Sequence, residues 1–347
     1  MRSEKQPEVV VVTGGTAGVG RAIVRKFAMA GARIGIIARD CERLESAKEE
    51  VETIGATAVA VSADVSNAQM VENAAAAIED ALGPIDIWIN NAMVSLFSPF
   101  KQMTAEDFRR VTEVTYLGYV HGTMAALSRM IPRDHGTIVQ VGSVLAHRSI
   151  PLQSAYCGAK HAIRGFTDSI RSELMHDKSN VHITMVQLPA MNTPQFDWVR
   201  SNLDRRARPV PPIYQPEVGA DAVYWAAHRK RREVYVGAST VQAIVANKVA
   251  PHLLDKYLAR TNYQDQQTRE PEDPHRADNL YQTVPGDYEA HGRFDNRSRS
   301  GSTQLWIAKH KYKVGLGLLA AGVSGFVGSI AFKQLKSVRS VEFGVRS

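Results

Sequence analysis

The twelve residues Val9-Val10-Val11-Val12-Thr13-Gly14-Gly15-Thr16-Ala17-Gly18-Val19-Gly20 decide the fold of this chain. Four successive valines make a β-branched run of the kind found in strands covered on both faces of a parallel sheet. Glycines follow at once, and helix formers occupy Ala22 to Ala30. A glycine-rich turn between a strand and a helix allows a tight bend and lets the backbone approach a pyrophosphate, which then sits at the positive end of the helix.

Working outward, short β-branched runs alternate with longer helical stretches as far as about Arg260. Strands are expected at Val9 to Thr13, Arg33 to Ala38, Thr57 to Ser62, Ile85 to Asn90, Gly136 to Val141, Val181 to Leu188 and Glu233 to Val236. Helices are expected between them, with Asp40 and Ser66 as caps for two. This rhythm predicts a doubly wound α/β fold with a parallel sheet. From Thr261 to Thr303 the composition turns to Asp, Arg, Gln, Asn, Pro and Gly with sparse aromatics. Such a stretch buries too little apolar surface to offset its ordering entropy. The expected organisation is therefore a nucleotide-binding domain over 1–260, a disordered linker over 261–303 and a tail over 304–347.

Further motifs follow the glycine turn in order. Asn90-Asn91-Ala92-Met93 ends the fourth expected strand, Ser143 follows the fifth, and Tyr156-Cys157-Gly158-Ala159-Lys160 begins thirteen residues after that serine. Pro189-Ala190-Met191-Asn192-Thr193 comes after the sixth. The turn reads TGxxxGxG, and over roughly residues 8 to 250 the set resembles the short-chain dehydrogenase/reductase superfamily, with NNAG, Ser, YxxxK and PGxxxT motifs. The resemblance implies a Rossmann-like fold and hydride exchange between a nicotinamide and a carbonyl or secondary alcohol. It assigns catalysis to Ser143, Tyr156 and Lys160, and cofactor contacts to Gly14, Thr16, Gly18, Val19, Gly20, Asp64, Val65, Asn91, Tyr156, Lys160 and Thr193. It also implies a homo-oligomer built on helices at about 104 to 130 and 154 to 176.

The chemistry of the triad can be stated independently. Tyr156 and Lys160, at i and i+4, share a helix face, so the ammonium is expected beside the phenol and, together with an oxidised nicotinamide, to lower its pKa toward working pH. Ser143 would hold the substrate oxygen while Tyr156 gives or takes its proton. Two departures from the family pattern stand out. Thr115 occupies the usual asparagine position, which predicts slower or water-rerouted proton transfer, and Met93 and Ala190 replace glycines at the cofactor wall. Thr115 also raises the rival reading, a dinucleotide-binding sensor or scaffold protein without turnover.

At the end of the second strand, Ala38-Arg39-Asp40 places a small residue and then an arginine where an NAD enzyme has a carboxylate for the ribose hydroxyls. A guanidinium suits a 2′-phosphate, so NADP(H) is expected over NAD(H). The alternative for Arg39 is a solvated strand-end charge. The substrate wall is expected from Phe97, Leu145, Pro151, Leu152, Met191, Phe196 and Trp198, which suits an apolar small molecule. His147 and Arg148 either recognise an acid or are solvated, and Cys157 is read as a buried structural thiol. The two cysteines, Cys41 and Cys157, lack metal-ligand spacing, so no metal is expected.

The formal charge of +7 is confined to the end of the chain. Residues 298–347 hold eight basic residues and one acidic one, which leaves 34 of each in the first 297. A neutral body argues against nucleic-acid binding. The start of the chain is polar and shows no secretory signal, so a cytoplasmic catalytic domain is expected. Val314 to Phe332 is nineteen residues without a charge, flanked by lysines on both sides. As a helix it would span about 28 Å, close to a ~30 Å hydrocarbon core, and it is read as a membrane anchor, the alternative being a soluble helix that docks on a partner subunit or on the body.

Overall fold

The computed structural model describes residues 6–311. Seven strands form one parallel sheet: β1 Val9–Thr13, β2 Arg33–Ala38, β3 Ala58–Ser62, β4 Ile87–Asn90, β5 Thr137–Ser143, β6 His182–Leu188 and β7 Glu233–Tyr235. Their spatial order is β7-β6-β5-β4-β1-β2-β3. All seven lie where the hydrophobic runs put them. The central β1 has no exposed residue, its four valines being wholly buried between the two helical layers.

The helices are α1 Gly18–Met29, α2 Cys41–Thr53, α3 Ala68–Leu82, α4 Ala105–Thr112, α5 Gly118–Met130, α6 Ser154–His176, α7 Pro216–Ala227, α8 Ala238–Val249, α9 Pro251–Asp265 and the short α10 Thr303–Lys309. Asp40 caps α2, accepting from Arg43 N at 3.0 Å, as its position in the sequence suggested. For α3 the cap is Asn67, which accepts from Met70 N at 3.0 Å. Ser66 instead donates to Asp64, so the expected cap shifts by one residue. Between α4 and α5 the turn Glu113–Leu117 is π-helical and carries Thr115.

Strand order reverses between β1 and β4, and chains leave those two edges in opposite directions. In an open α/β sheet this divergence opens a crevice beyond the carboxyl ends of the strands. The glycine turn follows β1, Arg39 follows β2, Asn91 follows β4 and Ser143 ends β5. Topology alone therefore gathers the expected site residues at one end of the sheet.

The disordered linker expected at 261–303 is corrected. The first compact unit runs to Ser302. Within it α9 continues to Asp265, Gln267–Pro271 pairs antiparallel with Arg205–Ala207, and Ser298–Arg299 pairs with Ile213–Tyr214. Leu280 and Ala290 are fully buried, with Val284 and Phe294 nearly so. The order comes mainly from the body, whose arginines donate to the segment's carbonyls. Arg39 bonds Tyr281 O and Asn279 O, Arg43 bonds Val284 O and Arg110 bonds Leu280 O. Composition of the segment by itself contains no trace of these donors.

The second unit begins at Thr303, and α10 is its described part. The apolar stretch 314–332 lies outside the described residues. Among the described residues no helix is long and apolar enough to cross a membrane.

Candidate active site

The glycine turn is built by sterics. Gly18 has φ +58°, a conformation costly for residues with a Cβ. A Cβ on Gly20 would lie 2.0 Å from the Gly14 carbonyl oxygen, so only glycine lets α1 start this close to the turn. Helix α1 opens at Ala17 without a side-chain cap. Its first amides, apart from Gly18 N–H, which bonds Glu289 O at 2.9 Å, are thus left to an anion. Thr13 Oγ1 accepts from Asn91 N at 3.0 Å, and Asn91 Nδ2 donates to the carbonyls of Thr13 and Gly14. Asn91 therefore braces the turn.

One cavity of about 920 Å³ runs from this turn to α8 and α9. Gly14, Thr16, Gly18, Val19, Gly20, Arg39, Asp64, Val65, Asn91, Ser143, Tyr156, Lys160 and Thr193 all line it. At one end lie Arg39 and Arg43. Arg43 is nearly fully buried, pairs with Asp40 at 3.2 Å and stacks on Trp198 with its guanidinium carbon 5.0 Å from the ring. Trp198, expected in the substrate wall, is thus turned to a cation. The Asp64 carboxylate accepts from Arg110 and from Ser66. Burial raises its pKa, but those hydrogen bonds outweigh burial and hold it below the usual carboxylate range. Glycine cradle, uncapped helix start and two cations fit a phosphorylated dinucleotide.

In the middle of the cavity stand Ser143, Tyr156 and Lys160, the first delivered by β5 and the other two by one face of α6. Burial raises the Tyr156 phenol well above its ordinary value, and a hydrogen bond with Ser143 offsets only part of that. Lys160 is wholly buried, and burial pushes its ammonium down to about 7. Its Nζ lies 5.6 Å from the Tyr156 ring centroid, donates to Val141 O at 2.8 Å and to Tyr119 Oη at 3.1 Å. Desolvation dominates both groups, with no carboxylate among the causes that act on either. Tyr119, itself bonded to Val141 O at 2.9 Å, was not singled out from the sequence, although it lies four residues after Thr115 on the same helical run.

Thr115 is fully buried, and its hydroxyl donates to Val94 O at 2.7 Å while accepting from Val94 N at 3.0 Å. Both capacities are spent on the loop carrying Met93, so the side chain pins that wall.

The far end is largely apolar, with Phe97, Leu145, Met191, Phe196, Val210, Leu254, Tyr257 and Leu258 in its lining. Gln153 and Asn262 add polar groups there; Gln153 Nε2 donates to Gln266 Oε1 at 2.7 Å. Pro151 and Leu152, expected here, do not reach the lining. Helices α8 and α9, not read as pocket walls from the sequence, close this end. Arg148 lines the cavity and donates to Asn247 and Asp255. Cys157 is buried, which raises its thiol pKa.

His147 belongs to a different arrangement. Its Nε2 lies 3.0 Å from Glu233 Oε1, and Gln187 and Tyr235 donate to the same carboxylate. Burial raises the Glu233 pKa, but these hydrogen bonds together overcome it and hold the group at about 2, against 4.5 ordinarily. A carboxylate depressed on folding contributes stability that is complete above its unfolded pKa and is lost as pH falls toward the folded one. Allowing for solvent screening, the stability gap between the wild type and Glu233→Gln should narrow by roughly 2 kcal/mol from about pH 5 to about pH 2.5. Urea unfolding across that range measures it; a constant gap would remove the assignment.

The comparisons agree with this geometry. A family model described as short chain dehydrogenase matches residues 8–204. The chain is similar to the uncharacterized oxidoreductase YxnA of Bacillus subtilis (strain 168), at 31% identity over 331 residues, covering 95% of this chain and 91% of that protein. It is 33% identical over 192 residues to a 3-dehydrosphinganine reductase of Danio rerio, covering 54% of this chain and 57% of the relative. Among solved structures, an alcohol dehydrogenase from the archaeon Thermococcus sibiricus, complexed with 5-hydroxy-NADP, superposes with a TM-score of 0.58 at 23% identity, covering 67% of this chain and 96% of that one. With the family motif set gathered in one cavity and the family model matching more than half its length, the chain belongs to the short-chain dehydrogenase/reductase family and is an oxidoreductase acting on CH–OH or C=O groups.

Proposed function

We propose that the protein transfers hydride between NADP(H) and an apolar carbonyl compound or its secondary alcohol. The observation that carries this reading is the continuity of one cavity, with Arg39 at the nucleotide end, Tyr156 in the middle and an apolar wall beyond. Gly14, Thr16, Gly18, Val19 and Gly20 would hold the pyrophosphate, Arg39 the 2′-phosphate, and Lys160 and Thr193 the nicotinamide half. The nicotinamide, when bound, supplies or accepts the hydride.

The residues of the chain handle the substrate oxygen and its proton. Ser143 orients the oxygen by a hydrogen bond. Tyr156, whose burial keeps its proton on, donates it to the oxygen during reduction, and its ring is fixed by α6. Lys160 holds its proton weakly, in contact with the Tyr119 hydroxyl, and tunes the phenol across 5.6 Å. Because Thr115 is tied to Val94, its hydroxyl takes no part in carrying protons outward. The apolar wall excludes water and favours hydrocarbon next to the reacting carbon. The similarity to a 3-dehydrosphinganine reductase and to an alcohol dehydrogenase complexed with 5-hydroxy-NADP lends support. Exposed Met124, Ile131 and Met175 on α5, at its end and on α6 support a homo-oligomer through those helices.

The test is cofactor oxidation by the full chain over a panel of aldehydes and ketones of increasing apolar length. NADPH should support a kcat/KM at least about tenfold above that with NADH, rising with chain length. Tight NADPH binding with no turnover on any substrate would favour the sensor or scaffold reading instead.

A further inference from the structure

Residues 278–292 lie beyond the matched family region. Leu280 anchors them, wholly buried in the core, and its carbonyl accepts from Arg110 of α4. In chain order the segment then meets the stations of the cavity one after another. Asn279 O and Tyr281 O accept from Arg39 at 2.7 and 3.1 Å, Val284 O accepts from Arg43, and Glu289 O accepts from Gly18 N at 2.9 Å. Gly292 N bonds Asn192 O at 3.3 Å, and a Cβ at Gly292 would lie 2.4 Å from Thr193 O. Asp287 and Glu289 pair with Arg21 and Arg25 of α1. The strap thus passes the 2′-phosphate residue, the helix start and the nicotinamide-side threonine.

Two polar atoms at the first station lack partners. Asn279 lines the cavity, and its Oδ1 is buried with no hydrogen-bond donor; the Nε–H of the buried Arg43, also in the lining, has no acceptor. An orphaned acceptor and an orphaned donor on one wall are costly unless a ligand bearing both kinds of group satisfies them. A ribose with a hydroxyl and a phosphate is such a ligand.

We infer that residues 278–292 form the outer wall of the dinucleotide site: Asn279 accepts a hydrogen bond from the adenosine ribose, Arg43 donates to its phosphate, and the strap must detach before cofactor leaves. This rests on reading the cavity as a dinucleotide site, and it makes cofactor exchange slower than the open crevice of the sheet alone would allow. Asn279 bonds a hydroxyl common to both cofactors, so its effect is separable from the phosphate preference set by Arg39.

The experiment measures the release of bound NADPH and NADH from the full chain by stopped-flow fluorescence, with excess oxidised cofactor as the displacing ligand. Asn279→Ala should speed release of both cofactors about fivefold, the worth of one buried hydrogen bond. Leu280→Ala, which loosens the anchor and touches no cofactor group, should speed it about tenfold. In the wild type, saturating NADPH should slow chymotryptic cleavage after Tyr281 and Tyr288 at least tenfold. Release within twofold of wild type in a folded Asn279→Ala protein, or cleavage unaffected by NADPH, would overturn the inference. Equal wild-type affinity for NADPH and NADH would instead refute the phosphate reading of Arg39, with the strap still judged by the release rates.

Discussion

Replacing Tyr156 by phenylalanine should lower kcat for carbonyl reduction about 10³-fold, the scale of a lost general acid. The substitution keeps the ring, so packing on α6 and the shape of the cavity are preserved. What disappears is the hydroxyl whose proton interacts with Ser143 and whose ring has a cation 5.6 Å from its centroid. Burial keeps this phenol protonated across the working range, so the wild type enters each reduction with the proton already in place. No other group named in the cavity combines a retained proton with a position beside Ser143. The affinity for NADPH should stay within about threefold, because the nucleotide end is untouched. Single-turnover oxidation of enzyme-bound NADPH, with affinity measured separately by fluorescence, separates the two effects. A rate within threefold of wild type would mean that water delivers the proton and would overturn the role assigned to Tyr156.

The second large effect is expected at Arg39. Charge-assisted hydrogen bonds to a phosphate contribute about 1.5–3 kcal/mol, so Arg39→Ala should raise the KM for NADPH roughly 10- to 100-fold. KM for NADH should rise only about fivefold or less, through loss of the two bonds that Arg39 donates to Asn279 O and Tyr281 O. The preference for NADPH should therefore shrink about tenfold. Arg43 would retain part of it, being held in place by Asp40, Trp198 and Val284 O. Steady-state kinetics with both cofactors and one substrate measure the ratio. An unchanged ratio would identify Arg39 as a fastening for the strap alone.

The legibility of this protein in its sequence was uneven, and for physical reasons. Strand runs such as Val9 to Thr13 betray themselves because burial on both faces demands a nearly continuous apolar, β-branched run. The glycine turn is legible because no other residue type fits its backbone. The triad is legible because Tyr156 and Lys160 are locked into one helical spacing. The order of segment 261–303 is not legible because its own apolar residues are few and it depends on donors 170 to 242 residues away. Lys160 is legible only in part, since its spacing from Tyr156 says nothing about how thoroughly the surroundings remove water from both.

The sequence by itself determined the parallel sheet, the position of the phosphate-binding turn and the identity of the residues that meet beyond it. Local sterics and hydrophobic period set these, and both are written in neighbouring residues. Tertiary structure alone decided which hydroxyls are spent, as at Thr115, which cations are desolvated, as at Lys160, and which distant carbonyls fasten to Arg39 and Arg43. Those outcomes depend on dielectric surroundings and on partners far along the chain, and they exist only once the chain has closed on itself.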